Sequence, residues 1–224
     1  MNVVDVLQTS LDADRVELIY LRGFMYANGI GVNGYMQPDL QAARQYFLAA
    51  AERGLSIAQL AIGSMLMDEC GGEPDMKEAV RWLTAAAEQG HTNAMKTLAI
   101  LGLESSTTDE LIDVRTAISW LEKAADARDA QALFMLGDIY FEGEVVEKEE
   151  KRAVEYYEQA ARIGLEIAHR KLAELYRTGT GLVSPNSTLH VFHWEEAVRL
   201  SDIHYERLKE REQIFSAIKA FWKK

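Results

Sequence analysis

The chain has 224 residues, which allows one large domain, two small domains or an array of repeats. Its hydrophobic content of 48 % is typical of a folded protein and excludes wholesale disorder. The formal net charge of −11 disfavours general binding to nucleic acid or anionic lipid, because phosphate groups need a cationic surface.

The N-terminal residues contain no basic stretch followed by an apolar stretch, so we expect no export signal there. No apolar run approaches the roughly 20 residues of a membrane-spanning helix. The one cysteine, Cys70, excludes an internal disulfide and favours a reducing compartment. We therefore expect a cytoplasmic protein without a membrane span, in which residues 1–13 form an N-terminal cap segment.

A pattern recurs along the rest of the chain. An alanine is followed three residues later by tyrosine or tryptophan, then by an alanine pair and a closing position, which is Gly54, Gly90, Arg128 or Gly164. The closing positions are 36, 38 and 36 residues apart, and spacing of this kind is typical of repeat proteins. A fifth copy aligns through Trp194.

Each copy predicts two helices. Helix A carries a small residue, which lies nine positions after the closing position of the preceding copy. A small side chain there allows a neighbouring helix to approach closely. Helix B is the alanine and aromatic segment, whose apolar residues recur at helical spacing. The small residues of helix A are Gly23, Gly63, Ala99, Gly137 and Ala173.

The helix ends also have predicted markers. The closing glycines suit a left-handed C-cap, so Arg128 should strain the third one. Pro38, Pro74 and Pro185 share one phase and are predicted at the first position of helix B.

Residues 203–224 do not fit the repeat. Ile203, Leu208, Ile214, Phe215 and other apolar residues recur there at helical spacing, which predicts one amphipathic helix. This helix has three interpretations: it caps the last repeat, it docks into the binding groove, or it forms a homodimer contact.

These patterns resemble the Sel-1-like repeat family, relatives of the tetratricopeptide repeats. The resemblance rests on segments such as Ala132-Leu-Phe-Met-Leu-Gly-Asp-Ile-Tyr140 and Gly29-Ile-Gly-Val32, and it covers most of the chain. It implies an all-α fold, an α/α solenoid with a right-handed superhelix and about five repeats of 36–38 residues. The predicted repeat bounds are 14–54, 55–90, 91–128, 129–164 and 165–202.

The resemblance also implies a protein-interaction scaffold, with a concave groove lined by helix A. By analogy, groove positions lie three before, one after and four after each small residue. They form a strip that is mostly apolar in the first four repeats and charged in the fifth. The residues are Tyr20, Phe24, Ala27, Leu60, Ser64, Met67, Lys96, Ile100, Leu103, Phe134, Asp138, Phe141, Arg170, Glu174 and Arg177. The alternative is that they only pack the helices together.

Two motifs are candidates for other chemistry. Gly29 to Gly34 reads G-x-G-x-x-G, but a nucleotide site needs a preceding strand, and here a helix precedes. His190 and His193 share a helix face and could bind a metal, although nothing fixes further ligands.

The sequence therefore predicts a non-enzymatic adaptor that binds a protein or peptide in the groove and uses no cofactor, metal or nucleic acid. One alternative, implied by the resemblance, is an immunity-type neutraliser of a secreted toxin or effector. A further alternative is a metal-dependent hydrolase that uses His190 and His193.

Overall fold

The computed structural model describes residues 15–31, 34–35, 37–104 and 111–222, with side chains for 15–30, 37–104 and 111–210. The predicted cap segment 1–13 lies outside the described residues. Within them, ten helices and two short strands follow one another: α1 (Val16–Ala27), β1 (Ile30–Gly31), β2 (Gly34–Tyr35), α2 (Leu40–Glu52), α3 (Ser56–Met67), α4 (Met76–Glu88), α5 (Thr92–Glu104), α6 (Val114–Asp126), α7 (Ala130–Glu142), α8 (Glu150–Ile163), α9 (Glu166–Thr178) and α10 (Ser187–Trp222).

Helices A and B alternate as the repeats predict, with α1, α3, α5, α7 and α9 as helix A. Close contacts join α1 to α2, α3 to α4, α7 to α8 and α9 to α10. The prediction of an all-α repeat fold is therefore confirmed. Among the described helices, none combines the length and the apolar character that crossing a membrane requires.

The chain divides into two compact units, Met1–Trp120 and Leu121–Lys224, with the boundary inside α6. The core of the first unit includes Phe47, Ile62 and Trp82, and these side chains come from both helix types. In the second unit, Leu136, Tyr157 and Leu172 are almost fully buried.

The small residues of helix A allow helix B to approach. A Cβ atom on Gly23 would lie 2.7 Å from the Phe47 ring, and one on Gly137 would lie 2.5 Å from the Tyr157 ring. Both distances are shorter than van der Waals contact, so any larger residue would displace the ring. This contact explains why the repeat requires a small residue there.

The third repeat departs from the pattern at Gly102, where other repeats carry leucine or tyrosine. Ile112, which precedes α6, packs there instead: a Cβ on Gly102 would lie 2.9 Å from Ile112 and 2.8 Å from Ala117. Ile112 is itself buried. A residue from the loop between α5 and α6 thus replaces the missing side chain.

The caps at the closing positions are left-handed as predicted. The backbone φ is +88° at Gly54, +88° at Gly90 and +98° at Gly164. Arg128 adopts φ +62°, so the predicted strain at the third cap is confirmed.

The prediction for the prolines is wrong by two positions. α2 begins at Leu40 with Asp39 as its N-cap, so Pro38 precedes the cap instead of opening the helix. The Asp39 carboxylate accepts a hydrogen bond from the Ala42 N–H at 2.9 Å, and Asp75, Asp113 and Asn186 cap helices B in the same way. The acidic or amide residue, more than the proline, satisfies the free N–H groups of the first turn.

The alignment of the fifth repeat also needs correction. In three repeats the helix A tyrosine stacks on one ring of helix B, and in the fifth that ring is His193. The stacked pairs are Tyr26–Tyr46, Tyr140–Tyr156 and Tyr176–His193, with centroids 5.4, 5.8 and 5.8 Å apart. Trp194, which the sequence pattern selected, is exposed.

No break separates the last repeat from the predicted C-terminal helix, because α10 runs without interruption from Ser187 to Trp222. Its first part packs on α9 through His193 and Ala197, which are buried. Every residue from 202 to 210 is exposed, so none of them is buried against the last repeat. Side chains beyond 210, including the predicted apolar residues from Ile214 onward, lie outside the described ones.

Candidate partner-binding surface

In the first unit, the most exposed predicted groove residues lie one position after the small residue of helix A. Phe24 on α1 is 44 % exposed, Ile100 on α5 is 39 % exposed, and Ser64 on α3 is also exposed. Leu21, one turn before Phe24, adds a further exposed apolar side chain. Large apolar groups on the outside of helix A are available for contact with another molecule.

The other predicted groove residues of the first unit face inward to varying degrees. Tyr20 packs on the Phe47 ring with centroids 5.3 Å apart, and Met67 packs against the same core. Leu60 is half-buried, and Lys96 is buried. For these positions the packing interpretation describes the structure better than the groove interpretation does.

In the second unit, three predicted groove residues of α7 gather around Tyr157. The rings of Phe134 and Phe141 lie 5.3 and 6.4 Å from the Tyr157 ring. The Tyr157 hydroxyl donates a hydrogen bond to Oδ1 of Asp138 at 2.7 Å. Burial and this hydrogen bond raise the pKa of Tyr157, so the phenol stays neutral and its hydroxyl remains a donor to Asp138.

Two lysines border the same cluster. The Nζ of Lys148 lies 5.1 Å from the Phe141 ring centroid, and that of Lys171 lies 4.8 Å away. Ammonium groups at these distances interact favourably with an aromatic ring. Sequence reasoning missed both lysines, because neither occupies a position that the repeat pattern marks, although Lys171 directly follows the predicted Arg170.

The predicted groove residues of α9 are charged and exposed. Arg170 forms an ion pair with Glu166 at 2.6 Å on the same helix, and Glu174 and Arg177 also face solvent. The charged character predicted for the fifth repeat thus describes a solvated helix face. The structure brings Phe134, Asp138 and Phe141 together but does not join the α9 residues to them by any described contact.

The histidines selected as metal ligands contact different partners. Nδ1 of His190 lies 2.9 Å from the Ala173 carbonyl oxygen, to which it donates. Nδ1 of His193 lies 3.0 Å from Nδ1 of His169, and Nε2 of His169 lies 3.1 Å from the Ala161 carbonyl oxygen. Among the described residues, no group of three or more histidine, cysteine, aspartate or glutamate side chains is arranged to hold a metal.

The hydrogen bonds define the tautomers of the buried histidine pair. His169 must donate from Nε2 to a carbonyl oxygen, so in the neutral ring its Nδ1 accepts from His193. Burial and the neighbouring His169 lower the pKa of His193 to about 4, while Glu196 opposes this shift. The His193 ring is therefore neutral at pH 7.

A cleft of about 390 Å³ opens beside the histidine pair, lined also by Glu158, Glu196 and Arg199. These charges already have partners. Glu196 binds Arg199 at 2.5 Å, and Glu158 accepts a hydrogen bond from the Tyr176 hydroxyl at 3.2 Å. Both carboxylates of the cleft thus already have partners within the chain.

The glycine motif forms a loop, as the sequence indicated. Ile30 and Gly31 pair antiparallel with Tyr35 and Gly34, which makes a short hairpin between α1 and α2. Gly29 enters it with φ +63°. A dinucleotide site of the kind this motif suggests requires a helix to open within it, and here a strand follows.

Comparison with known proteins agrees with this architecture. A model of the Sel1 repeat matches residues 17–55, 56–91, 102–129, 130–165 and 167–202. The solved Sel1 repeat protein from Oxalobacter formigenes is 28 % identical, with a TM-score of 0.74 over 86 % of this chain and 77 % of its own. A protective antigen of uropathogenic Escherichia coli with the same fold is 26 % identical, with a TM-score of 0.75 over 87 % of this chain and 40 % of its own.

Curated relatives carry names of regulators and binding proteins. The chitin synthase regulator SKT5 of Saccharomyces cerevisiae is 28 % identical over 190 residues, 80 % of this chain and 27 % of the relative. The DAP3-binding cell death enhancer 1 of Mus musculus is 33 % identical over 187 residues, 66 % of this chain and 36 % of the relative. The chain therefore spans about a third or less of these relatives.

Four of the five matched segments span a pair of helices A and B, the third covers mainly α6, and together they cover well over half of the sequence, so the chain belongs to the Sel1 repeat family.

Proposed function

We propose that this protein is a non-catalytic binding module that holds a segment of a partner protein against the helix A side of its first unit. The observation that carries the proposal is the exposure of Phe24 and Ile100, while their neighbours Tyr20 and Met67 turn inward. Exposed aromatic and aliphatic side chains on a rigid helix are what a peptide-binding surface presents.

The charge of the first unit indicates the chemistry of the partner. Residues 1–120 contain 8 basic and 16 acidic side chains. A segment that combines apolar anchors with lysine or arginine would match both features, and the electrostatic part of its binding would weaken as salt is added. We also propose a cytoplasmic setting, which the single cysteine supports.

Capture from a lysate of the source cell tests this proposal. Immobilised protein should retain a partner that is lost when both Phe24→Asp and Ile100→Asp are introduced, because each change places a charge where an apolar side chain would be buried. Retention should also decrease at high salt.

A matched control uses Leu40 and Met76, which are as exposed as Ile100 but open helices B. Leu40→Asp with Met76→Asp should leave the capture unchanged. Equal retention by the Phe24 and Ile100 double variant, with its helical circular dichroism intact, would overturn the proposal.

A further inference from the structure

The outer face of α10 carries an apolar stripe that nothing in the described structure covers. Val191, Trp194, Val198, Tyr205 and Leu208 are between 42 % and 66 % exposed. Their spacings of three, four, seven and three residues place them along one side of the helix, with Ser201 in the intervening position. Over residues 191–208 this is the spacing of the apolar positions in a two-helix coiled coil.

The same face is buried inside the repeats. With His193 aligned to Tyr156, Trp194 corresponds to Phe47, Leu83, Leu121 and Tyr157, each at most 5 % exposed. Trp194, by contrast, is 56 % exposed. An exposed apolar face of this kind indicates a surface that another molecule covers in use.

The distal part of α10 needs stabilisation from outside its own fold. All nine residues from 202 to 210 are exposed, although the helix continues to Trp222. In proteins, most of the stability of a helix comes from packing of its apolar face. One partner that packs on this face would both cover the stripe and stabilise the distal part of the helix.

Charge along α10 identifies that partner. Residues 187–206 contain four acidic and one basic side chain, whereas residues 207–222 contain four basic and two acidic ones. Two parallel copies would place like charges side by side. Two antiparallel copies would place the acidic part of each helix against the basic part of the other.

From these observations we propose that α10 pairs antiparallel with α10 of a second copy of this chain. The register that sets Tyr205 against the partner's Leu208 also sets Asp202 beside the partner's Lys209, and the twofold symmetry repeats both contacts. The register centred four residues earlier would oppose two copies of Asp202. This self-association is independent of the proposed peptide binding, since it uses a different unit of the chain.

Light scattering coupled to size-exclusion chromatography tests the pairing on the full chain, from about 1 µM to about 1 mM. We expect a dimer that dissociates on dilution. Leu208→Glu should weaken dimerisation at least about tenfold, because a charge would enter the apolar seam. The matched control is Ile203→Glu, which changes a similarly exposed apolar residue outside the stripe of Val191 to Leu208 and should leave the dimer intact.

A charge reversal tests the direction and the register. Lys209→Asp should weaken the dimer by about three- to tenfold. The new carboxylate would lie beside Asp202 of the second copy, and the twofold symmetry repeats this repulsion. Adding Asp202→Lys should restore dimerisation. A wild-type chain that is monomeric throughout the concentration range, or a dimer indifferent to Leu208→Glu, would overturn the proposal, and so would the absence of rescue by the double reversal.

Discussion

At the scale of single residues, Arg128 occupies a backbone conformation that the other repeats give to glycine. Gly90 and Gly164 stand at the same cap, and a Cβ built on either would meet no atom within 4 Å. The cost of a side chain there is therefore conformational and not steric. It amounts to about 1 kcal/mol for a left-handed residue other than glycine.

We predict that Arg128→Gly raises the free energy of unfolding by about 1 kcal/mol, measured by urea denaturation. The reverse change, Gly90→Arg, should lower it by a similar amount, since that cap has the same open surroundings. No gain from Arg128→Gly would show that contacts of the arginine side chain offset the strain.

The buried histidine pair makes stability depend on pH. The pKa of His193 is about 4 in the folded chain, below its ordinary value of 6.5. Between these two values the unfolded chain binds a proton that the folded chain excludes, so stability falls as pH decreases through this window and is level above it. The groups facing the ring are His169, Tyr176 and Glu196.

We predict that the contribution of His193 to stability decreases by about 2 kcal/mol from pH 7 to pH 5. His193→Tyr, which installs the residue present at Tyr46 and Tyr156, should remove most of this pH dependence in urea denaturation. His204→Asn on the exposed part of α10 is the control and should keep it. A His193→Tyr chain with the wild-type pH profile would show that another group titrates.

At the scale of the elements, the contact between helices A and B depends on the small residue of helix A. In the fourth repeat the facing ring is Tyr157, which is fully buried and anchored through its hydroxyl to Asp138. The ring therefore has little room to move away from a methyl group on Gly137.

We predict that Gly137→Ala lowers the free energy of unfolding by about 1–2 kcal/mol, because overpacking outweighs the better helix propensity of alanine. The sign of the change in the free energy of unfolding is decisive, since a glycine-to-alanine change on an exposed helix face would raise that free energy. Ala173→Gly, at the equivalent position of α9, is the matched control and should cost only about 1 kcal/mol of propensity. Thermal or urea denaturation of both variants gives the comparison.

The repeat pattern predicts those features of an element that local sequence determines. Helix pairs, left-handed caps and the close approach at Gly23 and Gly137 all follow from residue type and spacing. The neighbouring His193 and Trp194 show the limit, because both are aromatic and only the ring that stacks on Tyr176 distinguishes them. The order of proline and cap at Pro38–Asp39 was missed for a similar reason, since both residues favour helix starts.

The candidate binding residues were harder to predict, because their exposure depends on residues far away in the chain. Phe134 and Phe24 belong to the same predicted strip, but Phe134 lies three positions before the small residue of its helix A and Phe24 lies one position after. Phe134 packs beside Tyr157 of α8, whereas Phe24 remains open. Only the assembled unit separates a packing residue from a surface residue.

At the scale of the whole molecule, α10 joins two roles in one helix. Residues 187–201 complete the last repeat through contacts with α9, whereas residues 202–210 are exposed throughout. A capping role for the distal part would require it to bury apolar surface of the repeats. A role in self-association requires it to be free.

Truncation separates these two roles. We predict that a chain ending at Asp202 keeps the free energy of unfolding of the full chain to within about 0.5 kcal/mol, because residues 203–210, the removed part whose side chains are described, are exposed. Urea denaturation should be done at a concentration where the full chain is monomeric, since dimerisation would add apparent stability. A chain ending at His190 is the control and should lose several kcal/mol, because it lacks the buried His193 and Ala197. A large loss for the chain ending at Asp202 would instead assign the distal helix to capping.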